Sequence, residues 1–300
     1  MAMRMRVGVY LLPRPTAQPS LRLVSILGGD ANLVSQPADS LREHFAPTGS
    51  QALHGRFHLA RRLLGPIFAI GFSANAQASN QCGAIGPVVA ADLAEHVDAA
   101  FLERMRSVGV KTIFRYYDHQ DETLPGKTLH RGEKDLILKY GFSLGVVFQH
   151  WNDRFSSFTV ERGRADAERS LVLARENGQT ENSAIYFGVD GGWESNTEVA
   201  AIKGYFRAAS PLVTNGGFRV GVYGSGRICK EIIGSGFASI CWLANATGWP
   251  DYRSYYSSNA WSLAQQVPVD CGGKQVDFNI GNPAIRNPDI MDYGQFGGRE

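Results

Sequence analysis

Three apolar runs of the sequence each deliver an aspartate at the point where a buried strand would reach solvent. The runs are residues 88–92, 185–190 and 275–279, and their acids are Asp92, Asp190 and Asp277. In a closed barrel of alternating strands and helices the first and last strands are neighbours, so these acids would converge. Glycosidic bond cleavage requires two carboxyl groups, one of which can hold a proton. The pattern therefore predicts an acidic pocket suited to sugar chemistry.

Amides, aromatic residues and one arginine accompany these acids at the other predicted strand ends. Planar polar groups bind sugar hydroxyls, and aromatic faces stack on sugar rings. The candidate substrate-binding residues are Arg115, Tyr117, Gln149, Tyr223, Asn245, Trp249 and Gln265. Structural explanations stand beside this one: Arg115 could form an ion pair with Asp92 or Asp277, the tyrosines could be core residues, and Trp249 could pack under a loop.

Other chemistries find little support in the sequence. The glycine-rich run 221–226 lacks the G-x-S-x-G pattern of serine hydrolases, because Tyr223 stands where that pattern needs glycine. His130 and His150 have no metal partners at suitable spacing, so we expect neither a metal site nor a cofactor. The pair Gly191-Gly192 does not follow a phosphate-binding pattern.

The elements that must position these residues follow a repeating order of helix, glycine and strand. Apolar residues at helical spacing over 97–108 precede Gly109 and a β-branched and aromatic strand at 111–117. The unit returns with Gly141 before the strand 142–149, and with Gly178 before the strand that ends at Asp190. The run 195–198 (Ser-Asn-Thr-Glu) fits a capping box at the start of the next helix. Further strands are predicted at 218–223, 240–244, 261–265 and 275–278, which with 88–92 makes eight.

Near-continuous apolar strands that alternate with helices are typical of a parallel sheet covered on its outer face. Eight such strands favour the α/β class and a single (β/α)₈ TIM-like barrel, with chemistry at the carboxyl ends of the strands. A doubly wound open sheet is the alternative. The later helices are short and poorly periodic, which predicts an irregular second half of the barrel.

The first part of the chain reads as a processing signal. Basic residues at 58–62 precede an apolar run at 63–72 and an A-x-A cleavage site at 76–78, too short a run for a stable membrane anchor. We therefore predict three regions: a disordered upstream extension from a misassigned start (1–56), a signal peptide (57–78) and the barrel domain (79–300). A short buried helix is the alternative for the apolar run. Arg61-Arg62 permits a twin-arginine signal as well as the general secretory route, and either implies a secreted, periplasmic or envelope protein.

The charge of the chain changes once this leader is removed. Residues 1–78 hold eight arginines and three acids out of totals of 30 and 28, which leaves 22 bases and 25 acids and a net charge of −3. A mildly acidic domain does not suggest nucleic-acid binding. We expect a monomer without a membrane anchor after processing.

Four cysteines allow three disulfide connectivities in an oxidising compartment. Cys82 precedes the first predicted strand and Cys271 lies in the loop entering the last, so a bridge between them would staple the closure of the barrel, at its amino-terminal face. We expect Cys229 and Cys241 to be separate buried thiols, because the first would lie high and the second low in the barrel.

Several segments of the chain resemble an exported bacterial glycoside hydrolase-like domain of unknown function, of the type found in a mycobacterial cell-envelope protein. The resemblance covers residues 84–296, and the segments that carry it are 101–117, 141–149, 184–190, 221–229, 242–249 and 289–296. That domain is in turn similar to the family 25 lysozymes, which are barrel muramidases. They carry an aspartate after the first strand, Asp-x-Glu after the fourth, and an aspartate on the last.

Asp92, Asp190 and Asp277 match the three aspartates of the lysozymes, whereas Gly192 stands where the lysozymes have their glutamate. The resemblance therefore implies action on a cell-envelope polysaccharide such as peptidoglycan. Asp190, or else Glu194 two residues beyond the missing glutamate, would be the acid. Asp92 and Asp277 would stabilise positive charge on the sugar, with their ionisation set by Arg115 and Tyr117. The alternative is a non-catalytic wall-binding or regulatory module that uses the same cleft.

Overall fold

The computed structural model describes residues 82, 88–119, 126–282 and 292–298. The predicted extension (1–56) and signal peptide (57–78) lie outside the described residues. The strands of the described chain are β1 (Val88–Asp92), β2 (Thr112–Tyr117), β3 (Ser143–Phe148), β4 (Ala184–Gly188), β5 (Arg219–Gly224), β6 (Ile240–Leu243), β7 (Leu263–Gln265), β8 (Val269–Asp270) and β9 (Gln275–Gly281).

The helices of the described chain follow the first six strands in turn. They are α1 (Ala99–Ser107), α2 (Arg131–Lys139), α3 (Val160–Glu176), α4 (Asn196–Asn215), α5 (Gly226–Gly234) and α6 (Tyr252–Ser257). Ser195 and Glu198 form the predicted capping box of α4, in which the Ser195 hydroxyl accepts from the Glu198 amide at 3.2 Å. Within the described part of the chain, no helix has the length and apolar character needed to cross a membrane.

Eight strands close into the predicted TIM-like barrel. Strands β1 to β7 pair in parallel with their sequence neighbours, and β9 completes the ring between β7 and β1. β9 is antiparallel to both neighbours, whereas the repeating unit predicted a parallel eighth strand. The reason is local: β8 lies outside the ring and forms a hairpin with β9, so the chain has already turned back when β9 begins.

The predicted irregularity of the second half is confirmed. β6 and β7 have four and three residues, and α6 has six. Residues 266–274, which join β7 to β9, contain β8 and turns instead of a covering helix. The hairpin therefore supplies one wall of the barrel mouth.

Alternation along the strands divides the buried side chains between two cores. Inside the barrel Tyr186 packs edge to face against Phe114 and Trp242, which are tilted relative to each other, with ring centroids 4.7 to 5.8 Å apart. Side chains of the opposite parity, such as Ile113 and Phe187, face outward into the larger core beneath the helices. A residue's position along its strand therefore decides whether it can reach the pocket.

A C-terminal strap (residues 292–298) crosses the amino-terminal end of the barrel. Phe296 forms an antiparallel bridge with Leu144 near the start of β3, and the Ala184 amide at the start of β4 donates to the Gly294 carbonyl at 2.7 Å. Tyr293 packs into the inner core, where its carbonyl accepts from the Tyr186 hydroxyl at 2.9 Å. The strap thus closes the end of the barrel opposite the predicted site.

The Cys82–Cys271 disulfide is present as predicted, with Cα atoms 4.7 Å apart. Its predicted position at the amino-terminal face is wrong, because the last strand runs antiparallel. Asp277 pairs with Asp92 at the carboxyl end of β1, so Cys271 lies beyond that end. Lys274 in the same turn donates to the His96 carbonyl, which places the bridge near the start of α1.

The prediction of separate thiols at Cys229 and Cys241 is also wrong, since the two form a disulfide with Cα atoms 5.8 Å apart. The error lay in the register of β6. This strand is short, and Cys241 pairs with Val222 in the upper half of β5, so it lies higher than expected. Its outward side chain therefore meets Cys229 in the first turns of α5.

Candidate active site

A pocket of about 270 Å³ opens at the carboxyl ends of the barrel strands. Strand alternation and the hairpin after β7 build its wall. Its lining residues are Tyr116, Val147, Gln149, Asp190, Tyr223, Trp242, Asn245, Gln265, Gln266, Pro268 and Asp277. Six of the sequence-predicted site residues thus line a single cavity. Gln149, Tyr223, Asn245 and Gln265 bring amide or hydroxyl groups, and Asp190 and Asp277 bring carboxyls.

Asp92 lies beneath this pocket and is 1% exposed. Its carboxyl accepts from Asn279 Nδ2 at 2.8 Å, and from the Tyr116 hydroxyl and Gln265 Nε2 at 3.4 Å each. Burial raises the pKa of Asp92 well above its usual range, and the charge of Asp277 raises it further, against the opposing effect of these donors. Burial thus favours protonation of Asp92, and its hydrogen-bond donors favour the carboxylate.

Asp277 faces Asp92 across the antiparallel pair of β1 and β9. It is only partly buried and lines the pocket. Burial, together with the negative charge of Asp190, raises the pKa of Asp277 to about 6. A carboxyl with this pKa can hold a proton near neutral pH and release it to a bound molecule.

Asp190 lies two residues beyond the end of β4 and is fixed from two sides. Its backbone amide donates to the Asn152 carbonyl at 2.9 Å, and its side chain accepts from Gln149 Nε2 at 3.1 Å. Burial raises the pKa of Asp190, while the hydrogen bond from Gln149 and the charge of Lys127 lower it. Asp190 thus has two neighbours that favour its ionised form, whereas the charge of Asp190 disfavours ionisation of Asp277.

Amide and hydroxyl groups occupy the side of the pocket formed by β5 to β9. The Tyr223 hydroxyl donates to Gln265 Oε1 at 3.0 Å, and the backbone amide of Asn245 donates to the same oxygen at 3.3 Å. Trp242 Nε1 donates to Asn279 Oδ1 at 2.6 Å. These bonds fix the orientation of both side-chain amides, so that Gln265 and Asn279 each present their NH₂ group to Asp92.

Arg115 and Tyr117 were predicted to bind substrate and to set the ionisation of the acids, but the structure places both outside the barrel. Arg115 is fully buried and pairs with Glu133 at 2.8 Å, and it also donates to the Leu93 carbonyl. Tyr117 donates to Gln179 Oε1 at 3.2 Å in the outer core. Alternation explains the difference, because Tyr116 between them points into the barrel.

Glu194 and Trp249 do not line the pocket either. Glu194 is exposed, and its amide donates to Glu198 in the capping box of α4. Trp249 lies half-buried against the loop after β4, where a Cβ added at Gly192 would be 3.2 Å from its ring. A glutamate at this position, as in the lysozymes, would therefore require Trp249 to move.

The candidates chosen from the sequence lacked three residues that bear on the acids, namely Asn279, Tyr116 and Lys127. Tyr116 contacts Asp92, and counting alternate positions along β2 from the inward Phe114 would have found it. Lys127, in the loop after β2, donates to Gln149 Oε1 at 2.8 Å and lies 4.3 Å from the centroid of the Tyr116 ring. No strand or helix pattern indicates a lysine in that loop, so the sequence held no signal for it.

The described side chains do not form a cluster suited to metal binding. Among the described residues, no group of three or more histidine, cysteine or acidic side chains is arranged to hold one. The pocket acids instead form hydrogen bonds to side-chain amides, as described above for Asp92 and Asp190.

Comparison with solved structures places the fold among known proteins. The Tat-secreted protein Rv2525c of Mycobacterium tuberculosis, solved in complex with HEPES, is similar with a TM-score of 0.57 and 20% identity over 70% of this chain and 99% of that chain. An uncharacterised protein of B. stearothermophilus is similar with a TM-score of 0.50 and 16% identity over 66% and 97%. Both likenesses concern the fold alone.

Comparison with curated sequences finds the uncharacterised protein FadG of Bacillus subtilis (strain 168), 23% identical over 198 residues. The match covers 65% of this chain and 34% of FadG, so the chain spans about a third of the length of that relative. Residues 103–281 match the family described as the Rv2525c-like, glycoside hydrolase-like domain. This span contains β2 to β9 and two of the three pocket acids, so the protein belongs to the Rv2525c-like glycoside hydrolase-like family.

Proposed function

We propose that this protein is an exported glycoside hydrolase that cleaves a cell-envelope polysaccharide such as peptidoglycan by carboxyl acid and base chemistry. The observation that carries the proposal is the placement of Asp190 and Asp277 in one pocket, where burial and the charge of Asp190 raise the pKa of Asp277 to about 6. Such a pair supplies a carboxylate and a proton at the same pH.

In this proposal the two acids have different roles. Asp190 is the carboxylate, because Gln149 donates to it and Lys127 favours its charged form. Asp277 is the proton donor, and the carboxyl of Asp92 beneath it accepts from the amides of Asn279 and Gln265. These roles differ from the sequence-based expectation, in which Asp190 was the acid and Asp277 stabilised positive charge.

The substrate class rests on the pocket and on the compartment. Amides and tyrosine hydroxyls offer groups that bind sugar hydroxyls, and the partly exposed rings of Tyr116 and Tyr223 border the same pocket. The two disulfides suit an oxidising compartment outside the cytoplasm. The similar protein Rv2525c is described as Tat-secreted, which agrees with the signal-like run at 57–78.

A non-catalytic glycan-binding module is the second candidate, and the absence of the lysozyme glutamate favours it. Gly192 takes that position, and Glu194 is exposed on the surface nearby. Loss of a positioned general acid typically lowers a rate by about 10²- to 10⁴-fold. If Asp277 does not replace that group, the same pocket would hold a sugar without cleaving it.

The test is incubation of the folded, oxidised protein with purified peptidoglycan, with released reducing ends and soluble fragments measured by mass spectrometry. Hydrolysis is expected from the native protein. Asp190→Asn and Asp277→Asn should each reduce it about 10²-fold or more. Asp135→Asn, which alters an exposed acid on α2, is the matched control and should behave as the native protein does.

The pH dependence gives the same test a second readout. A proton donor with a pKa of about 6 predicts that hydrolysis falls as the pH rises above about 6, and that Asp277→Asn removes this decline from the residual activity. Retention on peptidoglycan without released ends would favour the binding module. Both candidates would be refuted if the protein bound no envelope polysaccharide and released no fragments from one.

A further inference from the structure

Lys127 contacts the Gln149 side chain, which in turn donates to Asp190. We propose that Lys127 is a positioning residue that acts through the Gln149 side chain on Asp190, so that Asp190 and not Asp277 carries the negative charge. This inference rests on the proposed function, because it deals with how that pair of acids is divided between two roles.

The fold holds Lys127 at the mouth of the barrel from both sides of its backbone. The Gly126 carbonyl accepts from the buried Arg115 at 3.2 Å. On the other side Thr128 forms a parallel bridge with Tyr116, and the Leu129 amide donates to the Tyr116 carbonyl at 2.9 Å. The outward-facing Arg115 therefore serves the pocket indirectly, by fixing the loop that carries the lysine.

A lysine ammonium can only donate, and this decides which way the Gln149 amide points. Lys127 Nζ donates to Gln149 Oε1 at 2.8 Å, which leaves Gln149 Nε2 to donate to Asp190 Oδ2 at 3.1 Å. The reversed amide would bring its NH₂ group to the ammonium and its oxygen to the carboxylate, and both contacts would be repulsive. The lysine thus selects the one orientation that stabilises a charged Asp190.

The charge of Lys127 is available for this purpose because no described carboxylate forms an ion pair with it. Its ammonium rests on the face of the Tyr116 ring, 4.3 Å from the centroid, in a cation–π contact. Burial lowers the pKa of Lys127, and the charges of Asp118, Asp190 and Asp153 oppose that shift. The charge of Lys127 also lowers the pKa of Asp190 directly.

The other charged groups around Asp190 act in the opposite sense. Asp153 raises the pKa of Asp190, and Asp190 in turn raises the pKa of Asp277 and of the Tyr223 hydroxyl. Lys127 and Gln149 are therefore the groups that favour ionisation of Asp190 over ionisation of Asp277. Removing the lysine should move the two acids in opposite directions, since an Asp190 that is protonated more often repels the charge of Asp277 less.

The experiment is a ¹³C NMR titration of the aspartate side-chain carboxyls in the folded full chain, which needs no substrate. In Lys127→Met we expect the pKa of Asp190 to rise and that of Asp277 to fall below about 6. Lys127→Arg, which keeps the charge and the donors, should restore both values toward the native ones. Lys111→Met removes an exposed lysine before β2 and should leave both unchanged.

Two results would overturn the inference. One is a native titration of both acids in a Lys127→Met protein whose thermal unfolding shows that it is folded. The other concerns the change in the pKa values of Asp190 and Asp277 that Lys127→Met causes. If Lys127 acts through Gln149, this change should be smaller in a protein that already carries Gln149→Met, so an equal change would contradict the inference. These results do not depend on hydrolysis. The proposed hydrolysis can therefore be refuted while the action of Lys127 through Gln149 is supported, and the action of Lys127 can be refuted while hydrolysis is observed.

Discussion

At the scale of single residues, the three acids of the site differ mainly in their surroundings. Asp92 is enclosed and receives bonds from two amides, Asp190 is reached by Gln149 and the charge of Lys127, and Asp277 has the charge of Asp190 nearby. The same chemical group thus has three different proton affinities within one small region. Burial is the largest influence on each of them.

Replacing Glu194 with glutamine tests whether an exposed acid can substitute for the missing lysozyme glutamate. We expect hydrolysis by Glu194→Gln to remain within about twofold of native, because Glu194 lies outside the pocket and its backbone is tied to the capping box of α4. Rates of released reducing ends measure this. A loss as large as that of Asp190→Asn would mean that the loop rearranges to bring Glu194 to the substrate.

The sequence largely predicted which residue types form the candidate site, but it did not predict which way their side chains point. Asp92, Asp190 and Asp277 were found because each ends or follows an apolar run. The candidates included Arg115 and Tyr117, whereas the pocket is lined by Tyr116 between them, a difference of one position that follows from alternation along β2. Lys127 could not be found, because its place depends on a loop held by a bridge to Tyr116.

At the scale of elements, β2 serves both faces of the barrel wall. Its inward residues fill the core and border the pocket, while Arg115 on its outer face pairs with Glu133 of α2 beneath the helices. Glu133 also accepts from the Val97 amide at 2.7 Å, so one carboxylate joins the loop after β1 to β2 and α2. Loss of the Glu133 charge would leave the buried Arg115 unpaired and would loosen three segments, so it should lower the stability of the fold.

Glu133→Gln should therefore destabilise the fold by about 3–5 kcal/mol, because it leaves the Arg115 guanidinium buried and uncompensated. Urea unfolding followed by fluorescence measures the change in the free energy of unfolding. Glu103→Gln, which breaks the exposed pair between Glu103 and Arg106, is the matched control and should change it by about 0–1 kcal/mol. Equal effects would contradict the importance of burial here.

The α5–β6 unit shows why disulfide pairing was only half predictable. Sequence order placed Cys229 high and Cys241 low, on the assumption that every strand begins at the same level. β6 has four residues and starts opposite Gly221, so that assumption failed. Strand register depends on pairing with neighbours, which a single chain sequence does not display.

At the scale of the whole molecule, the barrel is closed by contacts between distant parts of the chain. The Cys82–Cys271 bridge spans 189 residues, and β9 joins β1 to β7. The eight-stranded ring and the bridge followed from the sequence, whereas the extra strand β8 did not. The antiparallel direction of β9 did not, because the apolar run at 275–278 reads the same in either direction.

Replacing Cys82 and Cys271 together with alanine should lower the free energy of unfolding by about 2–4 kcal/mol, since the unfolded chain regains the freedom of a long loop. Denaturant unfolding of the oxidised proteins measures it. The matched control is the native protein under reducing conditions, which should lose at least as much stability because both bridges open. An unchanged midpoint in the double variant would show that β9 closes the barrel without help from the bridge.

The pocket acids should also make the stability of the molecule depend on pH. Asp277 has its pKa raised from 3.8 to about 6, so the folded protein binds its proton more tightly than the unfolded chain does. The stability from that proton is complete below about pH 4 and is lost as the pH rises through about 6. Asp277→Asn should therefore unfold at a higher temperature than the native protein at pH 8.

The advantage of Asp277→Asn should disappear as the pH approaches 4, and calorimetric scans at several pH values would measure it. Asp135→Asn again provides the control, with no expected pH-dependent gain. A gain that is the same at pH 4 and pH 8 would point to packing and not to the charge of Asp277.

The strap at residues 292–298 has a further consequence for traffic through the barrel. Tyr293 and Phe296 cover the amino-terminal end of the barrel, and aromatic rings fill the interior above them. Among the described residues, the pocket is therefore closed at its base. Anything that enters must leave by the same opening, and an incoming molecule must wait until the outgoing one has gone. If the proposed hydrolysis takes place, product must leave this opening before the next substrate can enter, so release of product would contribute to the rate of turnover.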